Sequence, residues 1–157
     1  TIPFFEITED IIGSFDGIII SGAPILITEE DMEPYLSQAS WIKTTEKPVL
    51  GICFGHQLIG LTYEAFGSRM KECRSINEIE QFVDCPLLYR LPDIFDMQED
   101  HGEGISIPKE FELVANSDEC VNEVMQHETR KLYGVQFHPE SSGNYGHIVL
   151  ENFVELC

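Results

Sequence analysis

The segment from Pro48 to Gly60, PVLGICFGHQLIG, places the strongest constraint on what this chain can fold into. An apolar run ends at Cys53, which stands between Gly51 and Gly55, and a helix-like pattern follows. We expect a buried strand, then a tight turn in which a Cβ on either glycine would clash, then a helix. A cysteine in such a turn is either a small core residue or a nucleophile, because the N–H groups at a helix N-terminus favour a thiolate.

Strand and helix patterns alternate around this segment. Upstream, FDGIIISGAP contains a second apolar run, Ile18 to Ile20, between turn residues, which is typical of a buried parallel strand. The next residues, TEEDMEPYLSQASWIK, predict a helix with Thr28 and Asp31 as a capping box. Another helix is predicted from about His56 to Phe66, with Gly67 as its cap. This order predicts an α/β fold with a parallel sheet.

The second half of the chain has a different pattern. FELVANSD, VNEVMQHE and KLYGVQFHPE are short strand-like runs separated by turn residues, which indicates a more antiparallel region. The last segment, GHIVLENFVEL, has apolar residues at helical spacing and predicts a closing helix. There is no internal repeat or low-complexity linker, so we expect residues 1–157 to form a single domain.

Composition and charge exclude several classes of function. The chain is 43% hydrophobic, enough for a sizeable core, and its net charge of -19 argues against nucleic acid or an anionic membrane as a partner. No apolar run reaches the roughly 18 residues of a membrane span, and no signal peptide is visible. The five cysteines are odd in number and form no CxxC pair, so we expect a cytoplasmic protein with free thiols and no metal or cofactor.

A partner for the cysteine is suggested by GVQFHPES, residues 134–141. His138 and Glu140 are two residues apart, so both side chains point the same way from an extended segment. Pro139 between them fits a strand end, because it lacks a ladder donor. Glu140 could hold one imidazole nitrogen of His138 while the other faces Cys53, as acyl transfer through a thiolate requires.

Taken together, GICFGHQ and GVQFHPE resemble the class I glutamine amidotransferases, and GIIISGAP resembles the oxyanion strand of that family. The three motifs occur in the family's order, and the resemblance covers the chain from Asp16 to its end. It implies an open, mainly parallel α/β sheet flanked by helices in three flavodoxin-like layers, with a small antiparallel addition. The family has a first βα unit that residues 1–15 do not provide, so we expect an unpaired sheet edge.

The resemblance implies specific roles for individual residues. Cys53 would be the nucleophile, His138 the acid and base, and Glu140 the partner that orients it. The backbone N–H groups of Phe54 and of the Gly22-Ala23 turn would form the oxyanion hole. The residues implied in binding the substrate are Gln57, Asp100, Gly102 and Glu103.

Three positions depart from the family pattern. Ala23 stands where the family usually has glycine, and Ile25 stands where it has a small residue, so both alter the oxyanion loop. Alanine costs little if its φ is negative, whereas Ile25 could crowd the pocket. Asp100 adds a negative charge near the expected position of a substrate carboxylate.

Within the family, EDHGEGI, EVMQHE and PLLYRLP are most similar to the amidotransferase part of GMP synthetase. The implied activity is hydrolysis of L-glutamine through a cysteine thioester, which supplies ammonia to an ATP-dependent synthetase domain or subunit. That partner must hold the nucleotide, because this chain has no phosphate-binding loop. Two alternatives stay open: a γ-glutamyl cysteine hydrolase, and a degenerate, non-catalytic amidotransferase domain that binds a partner.

Overall fold

The computed structural model describes residues 1–157 and contains nine strands and four α-helices. The strands are β1 (Ile18–Ile20), β2 (Val49–Ile52), β3 (Gly67–Cys73), β4 (Ile76–Gln81), β5 (Ile94–Gln98), β6 (His101–Ile105), β7 (Phe111–Asn116), β8 (Val124–His127) and β9 (Leu132–Val135). The helices are α1 (Glu9–Gly13), α2 (Glu33–Gln38), α3 (Phe54–Thr62) and α4 (Gly143–Leu156). Short 3-10 turns cover Phe4–Glu6, Ala39–Lys43, Pro86–Leu88 and Pro139–Ser141.

Seven strands form one sheet in the order β1-β2-β9-β8-β7-β4-β5, and β3 pairs with β6 in a separate two-stranded sheet. Strands β1, β2 and β9 are parallel neighbours, and every other pair is antiparallel. The predicted α/β class with a small antiparallel addition is confirmed, as is the antiparallel character of the second half. The main sheet is mixed, because parallel pairing is limited to the three strands that lead into the motifs.

Helices cover both faces of the parallel strands. Alternate residues of β2 point to opposite sides, so Leu50 packs in one core cluster with Val149 and Phe153 of α4. Its neighbour Val49 packs in the second cluster with residues of α3 that include Leu58. This arrangement is the three-layer architecture that the sequence predicted.

Two predicted helix boundaries are wrong for local reasons. Helix α3 begins at Phe54 and ends at Thr62, because Glu64 takes a left-handed φ of 65° and the N–H of Ala65 bonds back to the carbonyl of Gly60 at 2.9 Å. Thr28 caps no helix, since its hydroxyl and N–H donate to the carboxylate of Glu103. Helix α2 instead begins at Glu33, whose N–H donates to the side chain of Asp31 at 3.1 Å.

The region from β3 to β6 carried no strand prediction. Its strands mix charged and apolar residues and are exposed at many positions, so their hydrophobic pattern is weak. At the opposite end of the main sheet, β1 forms an edge, and Ile19 is 45% exposed there. No helix in the structure combines the length and apolar character needed to cross a bilayer.

Candidate active site

The parallel register of the sheet brings the two motifs together. Ile52 at the end of β2 pairs with Val135 at the end of β9, so the residues that follow each strand leave the sheet side by side. The N–H of Cys53 donates to the carbonyl of Val135 at 2.9 Å, which fixes the first residue after β2 against the end of β9. His138 lies three residues after Val135, and its own N–H donates to the carbonyl of Gln98 at 2.8 Å. The site therefore lies at the carboxyl edge of the parallel strands.

The turn around Cys53 has the geometry expected of a nucleophile elbow. Cys53 has φ 50° and ψ −108°, a strained conformation for a residue with a side chain, and it directly precedes α3. A Cβ on Gly51 would lie 2.4 Å from the carbonyl oxygen of Gly55. A Cβ on Gly55 would lie 2.1 Å from the carbonyl oxygen of Ile20. The steric need for both glycines, predicted from the sequence, is confirmed.

His138 and Glu140 form the pair that their spacing predicted. Nδ1 of His138 lies 2.6 Å from Oε1 of Glu140, and the histidine side chain is 18% exposed. Nε2 is buried without a hydrogen-bond partner that meets strict geometry. The neighbouring thiol of Cys53 and then the Glu140 carboxylate raise the pKa of His138 to about 10. Partial burial pushes the pKa of Glu140 upward, but the bond from His138 outweighs it and holds that pKa below its ordinary value.

A pocket of about 700 Å³ opens in front of Cys53 and His138. The Gly22-Ala23 turn forms one wall, where a Cβ on Gly22 would lie 3.0 Å from Cε1 of His138. Ala23 has no left-handed φ, so alanine fits there without backbone strain. Ile25 also lines the pocket. Opposite the turn, Phe54 begins α3, and its N–H has no acceptor within the helix because it belongs to the first turn.

All four residues predicted to bind substrate line this pocket, but two have polar groups already engaged within the protein. The side-chain amide of Gln57 donates to the carbonyl of Glu103 at 3.0 Å and to Oε1 of Gln136 at 3.1 Å. The carboxylate of Glu103 is 2% exposed and accepts the N–H of Ile27 at 2.5 Å and bonds from Thr28. Glu103 therefore anchors the segment that follows the oxyanion turn.

Asp100 and Gly102 remain accessible from the pocket, and Asp100 has a basic partner that the sequence did not reveal. Nε of Arg74 lies 3.2 Å from Oδ1 of Asp100, so the negative charge that seemed unfavourable beside a carboxylate is balanced. The carbonyl of Asp100 also lies 3.9 Å from Sγ of Cys53. Arg69 lines the same pocket and pairs with Glu29 and with Glu103. The basic residues in SRMKECRS were the signal, but their distance along the chain from the motifs concealed it.

Gln136 is a further residue of the site that the motif analysis missed. It is fully buried, and its amide nitrogen lies 3.6 Å from Sγ of Cys53. Its place one residue after β9, in GVQFHPE, was the only signal. His56, the histidine nearest to the elbow along the chain, is fully buried outside the pocket, and burial lowers its pKa to about 3. It belongs to the packing beneath the sheet.

Beside the pocket lies a second histidine–carboxylate arrangement with different electrostatics. Glu99 is completely buried, and Nε2 of His101 lies 3.2 Å from its Oε2 without the angle of a hydrogen bond. Burial raises the pKa of Glu99 to about 8 and lowers that of His101. Burial, followed by the charge of Glu99, likewise raises the pKa of Glu123 to about 8. These carboxyl groups are protonated at neutral pH, unlike Glu140.

Curated relatives match nearly the whole chain, and the first two are both subunits of glutamine-hydrolyzing GMP synthase. The chain is 35% identical over 144 residues to the subunit from Methanocaldococcus jannaschii, an alignment of 90% of this chain and 73% of that protein. It is 35% identical over 163 residues to the protein of the same name from Methanopyrus kandleri, covering 99% of this chain and 83% of the relative.

Solved structures show the same fold. A candidate GMP synthase subunit from Thermoplasma acidophilum superposes with a TM-score of 0.83 at 30% identity, covering 93% of this chain and 74% of that one. A glutamine amidotransferase from Thermotoga maritima gives a TM-score of 0.72 at 23% identity, covering 96% and 66%. The family model "Glutamine amidotransferase class-I" matches residues 1–156. On this match and the identities to its relatives, the chain belongs to the class I glutamine amidotransferase family.

Proposed function

We propose that this chain hydrolyses L-glutamine and supplies the ammonia to a partner synthetase that makes GMP. The observation that carries the chemistry is the meeting of Cys53 with the His138–Glu140 pair at the mouth of one pocket. The relatives, which are named as parts of glutamine-hydrolyzing GMP synthases, support both the substrate and the product. Family membership and the site geometry thus agree on amide hydrolysis by a thiol.

In the first half of the reaction, the thiolate of Cys53 attacks the side-chain amide carbon of glutamine. The carbonyl oxygen becomes an oxyanion, which the N–H groups of Phe54 and of the Gly22-Ala23 turn stabilise. The high pKa of His138 makes it an imidazolium in the resting site, so it can protonate the departing nitrogen. The carbon–nitrogen bond breaks, ammonia leaves, and a glutamyl thioester remains on Cys53.

In the second half, the neutral His138 takes a proton from a water molecule that attacks the thioester carbonyl. The second oxyanion collapses, the carbon–sulfur bond breaks, and glutamate leaves while Cys53 returns to the thiolate. His138 is again an imidazolium, held through Nδ1 by Glu140. Glu140 therefore orients the ring and stabilises its charged form without contacting the substrate.

The pocket also offers groups for the amino-acid end of glutamine. Arg69 and Arg74 supply positive charge for the α-carboxylate, and Asp100 and Glu72 supply negative charge for the α-ammonium. Gln57 and Glu103 act mainly through the protein, since their side chains hold β6 and the segment after the oxyanion turn. The two oppositely charged groups of the substrate can thus be recognised by adjacent pocket residues of both signs.

The Cys53→Ala variant tests this function directly. Glutamate release from L-glutamine should become undetectable, and mass spectrometry should no longer trap a glutamyl thioester on the protein. Cys157→Ala is the matched control, because that thiol is exposed and distant from the motifs in the chain, and its activity should equal that of the unmodified protein. Glutamine hydrolysis that survives in Cys53→Ala would rule out the mechanism.

Two further comparisons separate the remaining alternatives. A γ-glutamyl peptidase would cleave γ-glutamyl peptides faster than glutamine, so the two substrates should be compared at equal concentration. Adding an ATP-dependent GMP-forming synthetase with its substrates should increase glutamine turnover, because docking orders the Gly22–Ile25 loop. If neither substrate is cleaved and a glutamine-mimicking chloroketone fails to alkylate Cys53, the chain is a binding domain only.

A further inference from the structure

Four ionisable side chains form a buried cluster beside the pocket: Glu99 and Glu123, each 0% exposed, Cys120 at 3% and His101 at 6%. Glu99 lies in the turn before β6, His101 begins that strand, and Cys120 and Glu123 lie on the loop that leads into β8. One ligand atom each from His101, Cys120 and Glu123 lies within 4.8 Å of the others. The hydrolysis proposed above assigns no step to these four residues.

The cluster contains most of its polar atoms without partners. Both carboxylate oxygens of Glu99, Nε2 of His101 and Oε2 of Glu123 are buried and make no hydrogen bond. The other side of each ring or carboxylate is held where a partner exists: Nδ1 of His101 lies 3.2 Å from the carbonyl of Glu103, and Oε1 of Glu123 accepts from Ser117 at 2.6 Å. Buried polar atoms are normally satisfied, so four free ones in one cluster point to a missing ligand.

The donor set identifies the chemical class of that ligand. A thiol, an imidazole and carboxylates together are ligands typical of zinc, whereas magnesium and calcium take oxygen ligands alone. Around a tetrahedral zinc ion, neighbouring ligand atoms are roughly 3.3–3.8 Å apart. The largest separation of 4.8 Å in the cluster is therefore about 1 Å from the bound arrangement, which rotation of a side chain can supply. We propose that His101, Cys120 and Glu123 bind a zinc ion, with Glu99 as the fourth ligand.

The position of the cluster indicates a structural role for the ion. Four protein ligands in a buried position leave no place for water, as in closed zinc sites. The ion would join the start of β6 to the loop before β8. Strand β6 also carries Glu103, which anchors the segment after the oxyanion turn, and Asp100 beside it contacts Cys53. Zinc would thus stabilise the wall of the pocket from behind.

The test is zinc binding by the full chain in a Cys53→Ala background, where the catalytic thiol cannot hold the metal. The protein is stripped with a chelator, kept reduced, and titrated with zinc by calorimetry. We expect one zinc ion per chain and a higher melting temperature. Cobalt in place of zinc should give a thiolate-to-metal absorption band. Failure of this protein to bind zinc would overturn the proposal.

Matched variants locate the site. Cys120→Ser and Glu123→Gln should each lower zinc affinity by at least about 100-fold, and Cys120→Ser should abolish the cobalt–thiolate band. Cys85→Ser is the control, because Cys85 is also a buried thiol but lies outside the cluster, and zinc affinity should not change. Glu123→Gln removes the charge without changing shape, so it serves if Cys120→Ser does not fold. Zinc bound equally by both cluster variants, or a Cys73–Cys120 disulfide in place of the metal, would contradict the site.

Discussion

The chain contains two histidine–glutamate pairs with one residue between the partners, and their environments make them opposites. In His138–Glu140 the carboxylate is 50% exposed, the two groups are 2.6 Å apart, and the pKa of the histidine is raised to about 10. In Glu99–His101 the carboxylate is completely buried, the separation is 3.2 Å, and the pKa of the histidine is lowered. Identical residue types at identical spacing therefore carry different charges at neutral pH.

The difference shows that solvent and a third group decide the protonation state of such a pair. Glu140 keeps its charge because water still reaches it, and Cys53 adds a further favourable contact to the imidazolium of His138. Glu99 has no water and a second carboxyl group, Glu123, beside it, so its neutral form is favoured. The pair at the nucleophile is built for proton transfer, and the buried pair is built to hold something in place.

The largest expected effect separates the histidines. His138→Gln removes the only ring adjacent to Cys53 that can donate and accept a proton, so glutamine turnover should fall by about 10²- to 10⁴-fold. The measurement is kcat for glutamate release at saturating glutamine. His147→Gln makes the same replacement on the exposed face of α4 and should leave turnover unchanged. A His138→Gln enzyme within a few-fold of normal turnover would move the acid/base role to another residue.

A smaller effect separates the two carboxylates. Glu140→Gln keeps the shape of the side chain but removes the charge that stabilises the imidazolium, so kcat should fall by roughly 10- to 100-fold, less than at a fully buried triad because Glu140 is half exposed. NMR titration should show a lower pKa for His138 in this variant. Glu99→Gln is the matched change in the buried pair, and turnover should be little affected because Glu99 does not line the pocket. Equal losses in both variants would contradict the distinction between the pairs.

The pH dependence of stability gives a third test of the His138–Glu140 pair. Because the pKa of His138 is raised from 6.5 to about 10, its contribution to stability is fully present below pH 6.5 and is lost as pH rises toward 10. Because the pKa of Glu140 is lowered from 4.5, its contribution is present above pH 4.5 and is lost at lower pH. The difference in melting temperature between the unmodified protein and His138→Gln should therefore be largest between pH 4.5 and 6.5. A difference that grows above pH 7 would show that the sign is wrong.

The smallest effect is expected at a third histidine–glutamate pair, which is exposed. Nε2 of His147 lies 3.1 Å from Glu151 one turn along α4, and the side chains are 73% and 44% exposed. Pairs at this spacing on a helix surface contribute little, so His147→Gln should change the free energy of unfolding by less than about 0.5 kcal/mol. Denaturant unfolding measures it. A larger loss would mean that the side chain has a contact beyond Glu151.

Much of the fold and the centre of the site could be predicted because the signals are local. Glycines two residues on either side of Cys53 predict a tight turn wherever the chain is placed, and His138 and Glu140 share a direction because of strand geometry alone. The end of α3 and the start of α2 were less predictable, because Glu64 adopts a left-handed φ and Thr28 is used by a distant carboxylate. Such choices depend on neighbours far away in the chain.

By itself, the sequence determined the two motifs, their order and the residue types they contain, since each arises from backbone sterics over a few residues. Only the tertiary structure decided which strands are neighbours, and the pairing of β2 with β9 is what brings Cys53 to His138. It also decided which carboxyl groups keep their charge, that Glu103 anchors the segment after the oxyanion turn, and that residues as distant as His101 and Glu123 share one buried cluster. Burial and long-range contact are properties of the folded chain, because solvent access to a group depends on every element packed around it.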